Sequence, residues 1–185
     1  MKKLLAVLLC LALCLPVMAC AETYTVDMGD FTIELGAADA YQSVPKTENE
    51  VFAIIYPNYD PNAESSPNLN VVWTTEDPSF NIRLYGAEAY GQALIEQTSA
   101  YLKSMGINPE TYELLNAVYE DGVAAFYTYM VADYTGAGIP VKLAQYQMQM
   151  YYIHDANNVY IFTFTASTAE ELQAMLPYLD AITFK

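Results

Sequence analysis

Short runs of alternating hydrophobic and polar residues at the start of the chain predict β-strands. The alternation across residues 23–35, interrupted at Gly29 and Asp30, is typical of a β-hairpin with a two-residue turn. The run VFAIIY (51–56) is rich in β-branched and aromatic residues, which favours a buried strand. A further run, LNVVWTTE (69–76), predicts another strand after a polar connection. An early group of strands therefore precedes the rest of the fold.

The hydrophobic period changes to that of a helix from Ala87 onward. Gly106 follows the last periodic position and is a natural C-terminal cap. The residues at helical spacing that are expected to face the core are Tyr90, Leu94, Thr98, Tyr101, Leu102 and Met105. This pattern predicts one long helix after the early strands.

The next part of the chain predicts four strands that follow one another directly. Glycine and asparagine residues typical of tight turns separate them. The four runs are TYELLNAVY (111–119), VAAFYTYMVAD (123–133), VKLAQYQMQMYYIH (141–154) and VYIFTFTA (159–166). Consecutive strands joined by tight turns form an antiparallel meander.

A last helix is predicted after the meander. Ser167, Thr168, Ala169 and Glu170 match a capping box, in which a hydroxyl and a carboxylate satisfy the first N–H groups of the helix. Pro177 is expected to kink or shorten this helix, because its ring does not fit a regular helix interior. The apolar positions of the helix are Leu172, Met175, Leu176, Leu179 and Ile182. The order of elements predicts an α+β fold, an antiparallel sheet meander flanked by helices.

The apolar run at the start of the chain has the layout of a secretory signal peptide. A positive segment, MKK, precedes an apolar stretch that extends to Ala19 and is interrupted only by Pro16. The stretch is shorter than the ~20 residues that span a bilayer comfortably. We therefore expect residues 1–21 to be removed as a signal peptide and residues 22–185 to form a single domain.

The stretch VMACAE (17–22) allows two cleavage sites. A cut before Glu22 fits an ordinary signal peptidase, because small residues precede that bond. The residues VMAC also resemble a bacterial lipobox, in which Cys20 would carry a lipid and hold the domain on the membrane. Met18 is bulky for a lipobox, and the predicted strands begin almost at once at Thr23. Free secretion is therefore favoured, with anchoring through Cys20 as the alternative.

Charge and cysteine content narrow the classes of function. The chain holds 22 acidic and 7 basic residues, and its formal net charge of −15 repels nucleic acid and anionic lipid surfaces. Its three cysteines, Cys10, Cys14 and Cys20, lie in or beside the predicted signal peptide. A cut before Glu22 would leave a domain without cysteine. Such a domain has no disulfide, thiol catalysis or thiolate zinc site.

The element order and several stretches of the sequence resemble the Mog1/PsbP-like superfamily, over almost all of residues 23–185. The matching stretches are FTIEL, GVAAFYTYMV, QMYYIHDANNVYIFTFTAS and the closing LDAITFK. The resemblance implies an α/β/α sandwich with an antiparallel sheet between helices. It also implies binding to other proteins rather than catalysis. It brings no active-site residues to this chain, and we expect no cofactor.

Residues suited to catalysis are sparse. The one histidine, His154, lies beside Asp155 at the end of a predicted strand, where a half-exposed turn histidine is expected. A small secreted hydrolase that uses His154 as a base, or a pair of carboxylates, is the alternative. The sequence has no G-x-S-x-G elbow and no H-E-x-x-H pair. One histidine also cannot build the usual catalytic zinc site of two or three histidines.

The polar loop over residues 57–68 carries alternating oxygen-bearing side chains. Asn58, Asp60, Asn62 and Glu64 are spaced as ligands are along a calcium loop. The pattern lacks the sharp-turn glycine and the bidentate glutamate of an EF-hand, and prolines interrupt it. An ordinary surface loop is expected, with a calcium site as the alternative.

Tyrosine and glutamine residues of the meander suggest a binding face. Along the run 141–154, Tyr146, Met148, Met150 and Tyr152 alternate with glutamines and are predicted to be core beneath a helix. Tyrosine suits contact surfaces, because its ring offers area at low entropic cost and its hydroxyl is polar. The candidate binding face consists of Tyr127, Tyr129, Gln147, Gln149 and Tyr151. A solvated face, or one covered by a helix, is the alternative interpretation.

These features favour an exported binding or adaptor module of the bacterial cell envelope or the extracellular space, without catalytic activity. The expected partner is another protein or an envelope component, not nucleic acid, and membrane contact depends on a lipid at Cys20. A shallow surface with an aromatic patch would support this function. A deep pocket that converges on His154 or on two close carboxylates would support the hydrolase.

Overall fold

The elements of the fold are taken from a computed structural model. Residues 1–22, with Cys20 and both cleavage sites, lie outside the residues that it describes, so processing stays a prediction. The described residues are 23–43, 51–62, 67–75, 82–155 and 158–185. No helix within these ranges is long and apolar enough to span a bilayer.

The described ranges contain strands, helices and two short 3₁₀ segments. The strands are β1 (Thr23–Asp27), β2 (Phe31–Gly36), β3 (Ala40–Ser43), β4 (Val51–Tyr56), β5 (Asn68–Thr74), β6 (Asn108–Glu120), β7 (Val123–Asp133), β8 (Lys142–Asp155), β9 (Asn158–Ala166) and β10 (Ile182–Phe184). The helices are α1 (Ile82–Tyr85), α2 (Ala87–Ser104) and α3 (Ala169–Met175), and the 3₁₀ segments are Thr135–Ala137 and Leu176–Leu179.

The strands form two antiparallel sheets. The large sheet has seven strands in the order β3-β4-β5-β9-β8-β7-β6, and the small sheet has the order β1-β2-β10. Strands β6 to β9 are neighbours in chain order, which confirms the predicted meander. The early hairpin is also confirmed, and Gly29 adopts the positive φ of 91° that its turn requires. The fold is α+β with a predominantly antiparallel sheet, as expected.

The larger core lies on one side of the large sheet, which we call the α3 face. Leu69, Val71, Phe162 and Phe164 point to this side and are fully buried. They pack against the small sheet and against α3, through Phe31, Ile33, Leu35, Leu172 and Met175. This layer is therefore a three-stranded sheet plus a helix, and not helices alone as an α/β/α sandwich implies.

The smaller core lies on the opposite side of the large sheet, which we call the α2 face. Phe126 and Tyr151 point to this side and pack beneath α1 and α2. The ring of Tyr90 on α2 stacks on Phe126 with centroids 5.8 Å apart. A Cβ atom added to Gly91 would lie 2.8 Å from the Phe126 ring, so glycine lets the helix approach the sheet closely.

The predicted C-terminal cap of helix α2 is confirmed, but not all of the residues predicted to face the core are buried. Gly106 has a φ of 79°, and its N–H donates to the carbonyl of Lys103. The buried positions of the helix are Gly91 and Ile95, whereas Tyr101 is 64% exposed. The assignment of Tyr101 and Met105 to the core is wrong. Tyr101 lies off the line set by the buried positions, and Met105 is already the C-cap residue.

The C-terminal segment differs from its prediction in two respects. The capping box uses Thr168 and Glu171, one residue later than predicted, because hydroxyl and carboxylate residues are doubled at both positions. Helix α3 ends at Met175 before a 3₁₀ segment that contains Pro177, as the proline predicted. Ile182 belongs to β10, which pairs with β2, so its assignment to the helix stripe is wrong.

Candidate functional site

Strand register divides the candidate binding face into two groups. Tyr127 pairs with Met148 and Tyr129 pairs with Tyr146 in the β7–β8 ladder. Directly paired residues point to the same side of a sheet. Tyr127 and Tyr129 therefore lie on the α3 face, together with residues that were predicted to be core.

The other three members of the candidate face lie on the α2 face. Gln147 pairs with Thr128, and Gln149 pairs with Phe126. Tyr151 packs in the smaller core with Phe126. The prediction that all five residues share one exposed face is wrong, because odd-numbered residues of β7 pair with even-numbered residues of β8.

Tyr151 is a core residue. Only 8% of its surface is exposed, and its ring meets Phe126 and Tyr90 edge-to-face at centroid distances of 5.3 and 5.8 Å. Its hydroxyl donates a long hydrogen bond of 3.5 Å to the side-chain carbonyl of Gln149. Burial raises the pKa of the Tyr151 phenol, since the phenolate would lose its solvation. This tyrosine stabilises the fold and presents no contact surface.

Three tyrosines on the α3 face form what we call the tyrosine cluster: Tyr127, Tyr129 and Tyr146. The ring of Tyr146 lies 4.7 Å from that of Tyr129 and 6.5 Å from that of Tyr127, centroid to centroid. All three residues are half-buried. Burial, with the neighbouring Tyr146 and the carboxylate of Glu170, raises the pKa of Tyr127. The cluster presents fixed aromatic surface at the edge of the larger core.

A groove adjoins the tyrosine cluster, between the large sheet and the end of α3. Its volume is about 280 Å³, and we call it the α3 groove. It is lined by Asn116, Val118, Ala125, Tyr127, Met148, Leu172, Gln173 and Leu176. Val118 is 47% and Leu176 37% exposed, so apolar surface is open to solvent at both sides of the groove. Such a groove can take an apolar side chain of a bound molecule.

A larger cavity of about 500 Å³ lies where the β2–β3 turn meets the C-terminal 3₁₀ segment. The Asp39 carboxylate links two backbone segments at this cavity. It accepts hydrogen bonds from the N–H of Gly36 at 2.8 Å and from the N–H of Asn58 at 2.9 Å. The Tyr178 hydroxyl donates a hydrogen bond to the same carboxylate. Burial and the neighbouring Asp39 raise the pKa of Tyr178. Asp39 is therefore occupied by structural hydrogen bonds.

In the loop considered as a calcium site, the Asp60 carboxylate makes local hydrogen bonds. One carboxylate oxygen of Asp60 accepts from the N–H of Asn62 at 2.8 Å, as in an ordinary Asx turn. Asn58 adopts a left-handed φ of 47°, and Glu64 lies outside the described residues. No group of three or more histidine, cysteine, aspartate or glutamate side chains in the described part of the chain is arranged to hold a metal ion.

For His154 the structure describes the backbone and not the side chain. His154 belongs to β8, close to the end of the ladder where Asp155 pairs with Asn158. The side chains of His154 and Asp155 lie outside the described residues. The hydrolase interpretation of this histidine is therefore not tested by the geometry of the site.

Solved structures with a similar fold place this architecture among known ones, although neither the family models nor the curated proteins give a match. The PsbP protein of the cyanobacterium Synechocystis superposes with a TM-score of 0.56 at 10% identity, over 93% of this chain and 97% of that one. The Ran-binding protein Mog1 of Saccharomyces cerevisiae gives a TM-score of 0.55 at 10% identity, over 89% and 96% of the two chains. The protein has the Mog1/PsbP-like fold, as the sequence resemblance implied.

Proposed function

We propose that this protein is an exported binding or adaptor module of the bacterial cell envelope or the extracellular space, without catalytic activity. Its partner is another protein, and the contact surface consists of the tyrosine cluster and the α3 groove. The observation that carries the proposal is the placement of three mutually packed, half-buried tyrosines beside an open apolar groove.

The physical chemistry of this surface suits protein binding. Tyrosines already packed against one another lose little conformational entropy when a partner covers them, and their hydroxyls supply hydrogen bonds. The chain is strongly acidic, yet Tyr127, Tyr129, Val118 and Leu176 are uncharged. Carboxylates lie beside this uncharged surface, since Glu113 pairs with Tyr129 in the β6–β7 ladder and Glu170 lies near Tyr127. Charge around the surface keeps the chain soluble while the uncharged residues make the contact. Mog1 of Saccharomyces cerevisiae, which has this fold, is a Ran-binding protein, and this is consistent with the use of the fold for protein contacts.

The hydrolase alternative has less support from the described side chains. Asp39, which lines the larger cavity together with Glu34, accepts hydrogen bonds from two backbone N–H groups. A general base must instead be available to a substrate or a nucleophile. Replacing His154 with glutamine should leave the function intact. Loss of an activity in that variant, with an unchanged melting temperature, would favour the hydrolase.

Binding is tested by capture of a partner from the envelope of the producing cell, followed by affinity measurement with both proteins purified. Tyr129→Ala should weaken the complex about 30-fold, since an aromatic anchor contributes ~2 kcal/mol or more. Tyr101→Ala is the matched control, because this exposed tyrosine lies on α2 and away from the cluster. Equal affinities of the two variants would remove the tyrosine cluster from the interface.

Export is part of the proposal and has its own test. Intact mass of the protein collected outside the cytoplasm should correspond to a chain that begins at Glu22 and carries no lipid. A diacylglyceryl adduct on Cys20 would instead place the domain on the membrane surface.

A further inference from the structure

Strand β6 forms one edge of the large sheet. It pairs with β7 on one side, and no strand of the described ranges pairs with its other side. An edge strand directs alternate N–H and C=O groups to solvent, where another chain can pair with them. Strand β6 has 13 residues, whereas the opposite edge strand, β3, has 4. The length of β6 therefore offers a template for strand addition.

From Asn116 onward, β6 contains neither proline nor a bulge, two features that usually protect a sheet edge. Pro109 and an adjoining bulge interrupt its first half, and a second bulge falls at Leu114 and Asn116. From Asn116 to Glu120 the strand pairs with β7 without interruption. Apolar side chains along this half are solvent-exposed: Val118 by 47% and Tyr119 by 37%. A regular, partly apolar edge of this kind favours pairing with an extended chain.

The same half of β6 runs past the α3 groove. Asn116 and Val118 contribute to the groove lining, and Val118 pairs with Ala125 across the β6–β7 ladder. A strand added to the outer side of β6 would place every second side chain on the α3 face. Those side chains would lie beside Val118 and the groove. Backbone pairing would then supply affinity, and the groove would supply selection among side chains.

The charges along β6 indicate which kind of chain could pair with this edge strand. Strand β6 contains three glutamates, Glu110, Glu113 and Glu120, and no lysine or arginine. Lys142 of β8 pairs with Glu110 at the far end, with an N–O distance of 2.5 Å. A second copy of a chain with a net charge of −15 would bring like charges together. A segment that carries lysine or arginine beside its apolar residues has the complementary charge.

We infer that β6 is a docking strand, to which a partner protein adds an extended segment with alternating apolar side chains and basic flanks. This inference rests on the proposed binding function and specifies the chemistry of the partner. The added strand extends the seven-stranded sheet at Asn116–Glu120 and places apolar side chains beside the α3 groove.

The test uses a display library of random linear twelve-residue peptides, selected on the chain from Glu22 onward. Enriched peptides should combine alternating apolar residues with lysine or arginine. N-methylation of alternate backbone amides should weaken the synthesised peptides at least tenfold in one register and not in the other, because only one edge of the peptide pairs with β6. Val118→Lys should weaken them at least tenfold, whereas the control Ile139→Lys, at an exposed loop position, should not.

Four outcomes would overturn the inference. These are failure to enrich any peptide, binding that is insensitive to N-methylation in both registers, equal effects of the two lysine variants, and a wild-type dimer that Val118→Lys dissociates in sedimentation equilibrium. The last outcome would make a second copy the occupant. If Tyr129→Ala abolishes capture of the envelope partner while Val118→Lys does not, the proposed function stands without strand addition. If neither variant affects capture, the proposed surface itself is wrong.

Discussion

The two faces of β7 and β8 carry tyrosines in opposite environments. On the α2 face, Tyr151 is covered by α2 and is almost completely buried. On the α3 face, Tyr127, Tyr129 and Tyr146 pack on one another and remain half-buried. The strands are the same and the residue type is the same. The difference comes from the helices that cover them.

The lengths of these helices explain the difference. Helix α2 has 18 residues and packs along β6 and β7. Helix α3 has 7 residues, contacts β8 and β9, and ends as a regular helix before Pro177. The α3 face is therefore left partly uncovered over β6, β7 and the neighbouring part of β8, where the tyrosine cluster and the groove lie. A tyrosine is buried in the core where a long helix covers it, and it stays partly exposed where a short helix ends.

The largest effect is expected at the covered tyrosine. Tyr151→Ala should lower the free energy of unfolding by about 3–5 kcal/mol, because truncating a buried aromatic residue leaves a cavity. Urea denaturation followed by circular dichroism measures this change. A loss below about 1 kcal/mol would mean that the α2 face is not a packed core and that the contrast between the faces is absent.

The close approach of α2 to the sheet should also be sensitive. Gly91→Val is expected to destabilise the protein by about 2 kcal/mol, because its side chain would collide with Phe126 and force the helix outward. Ala89→Val is the matched control, since this exposed position tests only the helix propensity of valine. Similar melting temperatures for the two variants would contradict the close packing at Gly91.

At the half-buried tyrosines of the α3 face, a substitution is expected to change partner affinity more than protein stability. Tyr129→Ala should cost less than about 1 kcal/mol of stability, because the residue is only half-buried, while it weakens the partner complex about 30-fold. Thermal denaturation and titration calorimetry on the same samples separate the two effects. A large fall in melting temperature with unchanged affinity would assign the tyrosine cluster to the core.

The smallest effect concerns alkaline pH. The pKa of Tyr151 is raised by burial in the folded protein, so the unfolded chain loses this proton first, at a pH near 10. The protonated Tyr151 phenol therefore makes its full contribution to the free energy of unfolding below pH 10, and this contribution is lost as the pH rises above 10. At pH 10.5 the loss should be about 1 kcal/mol. Tyr151→Phe should show a correspondingly smaller decline between pH 8 and 10.5 in urea denaturation, and an identical decline would contradict the burial of this hydroxyl.

The elements that depend on local interactions could be predicted from the amino-acid sequence. The alternation in β7 and β9 and the turn at Gly29 identified the meander and the early hairpin. Positive φ at Gly106 and the ring of Pro177 fixed where two helices end, since both effects act within a few residues.

Which residues share a surface depends on strand pairing and helix packing, and local sequence patterns do not contain this information. Strand β10 is three residues long and takes its backbone partners from β2, far away in the sequence, so no local pattern distinguishes it from the end of a helix. The face of each tyrosine depends on the β7–β8 register, and a shift of one residue would exchange the two faces. Whether that face is then covered depends on how far α2 and α3 extend over the sheet. Alternation along a single strand identifies two sets of residues on opposite faces. Strand pairing and helix packing determine which set is buried and which is exposed to solvent.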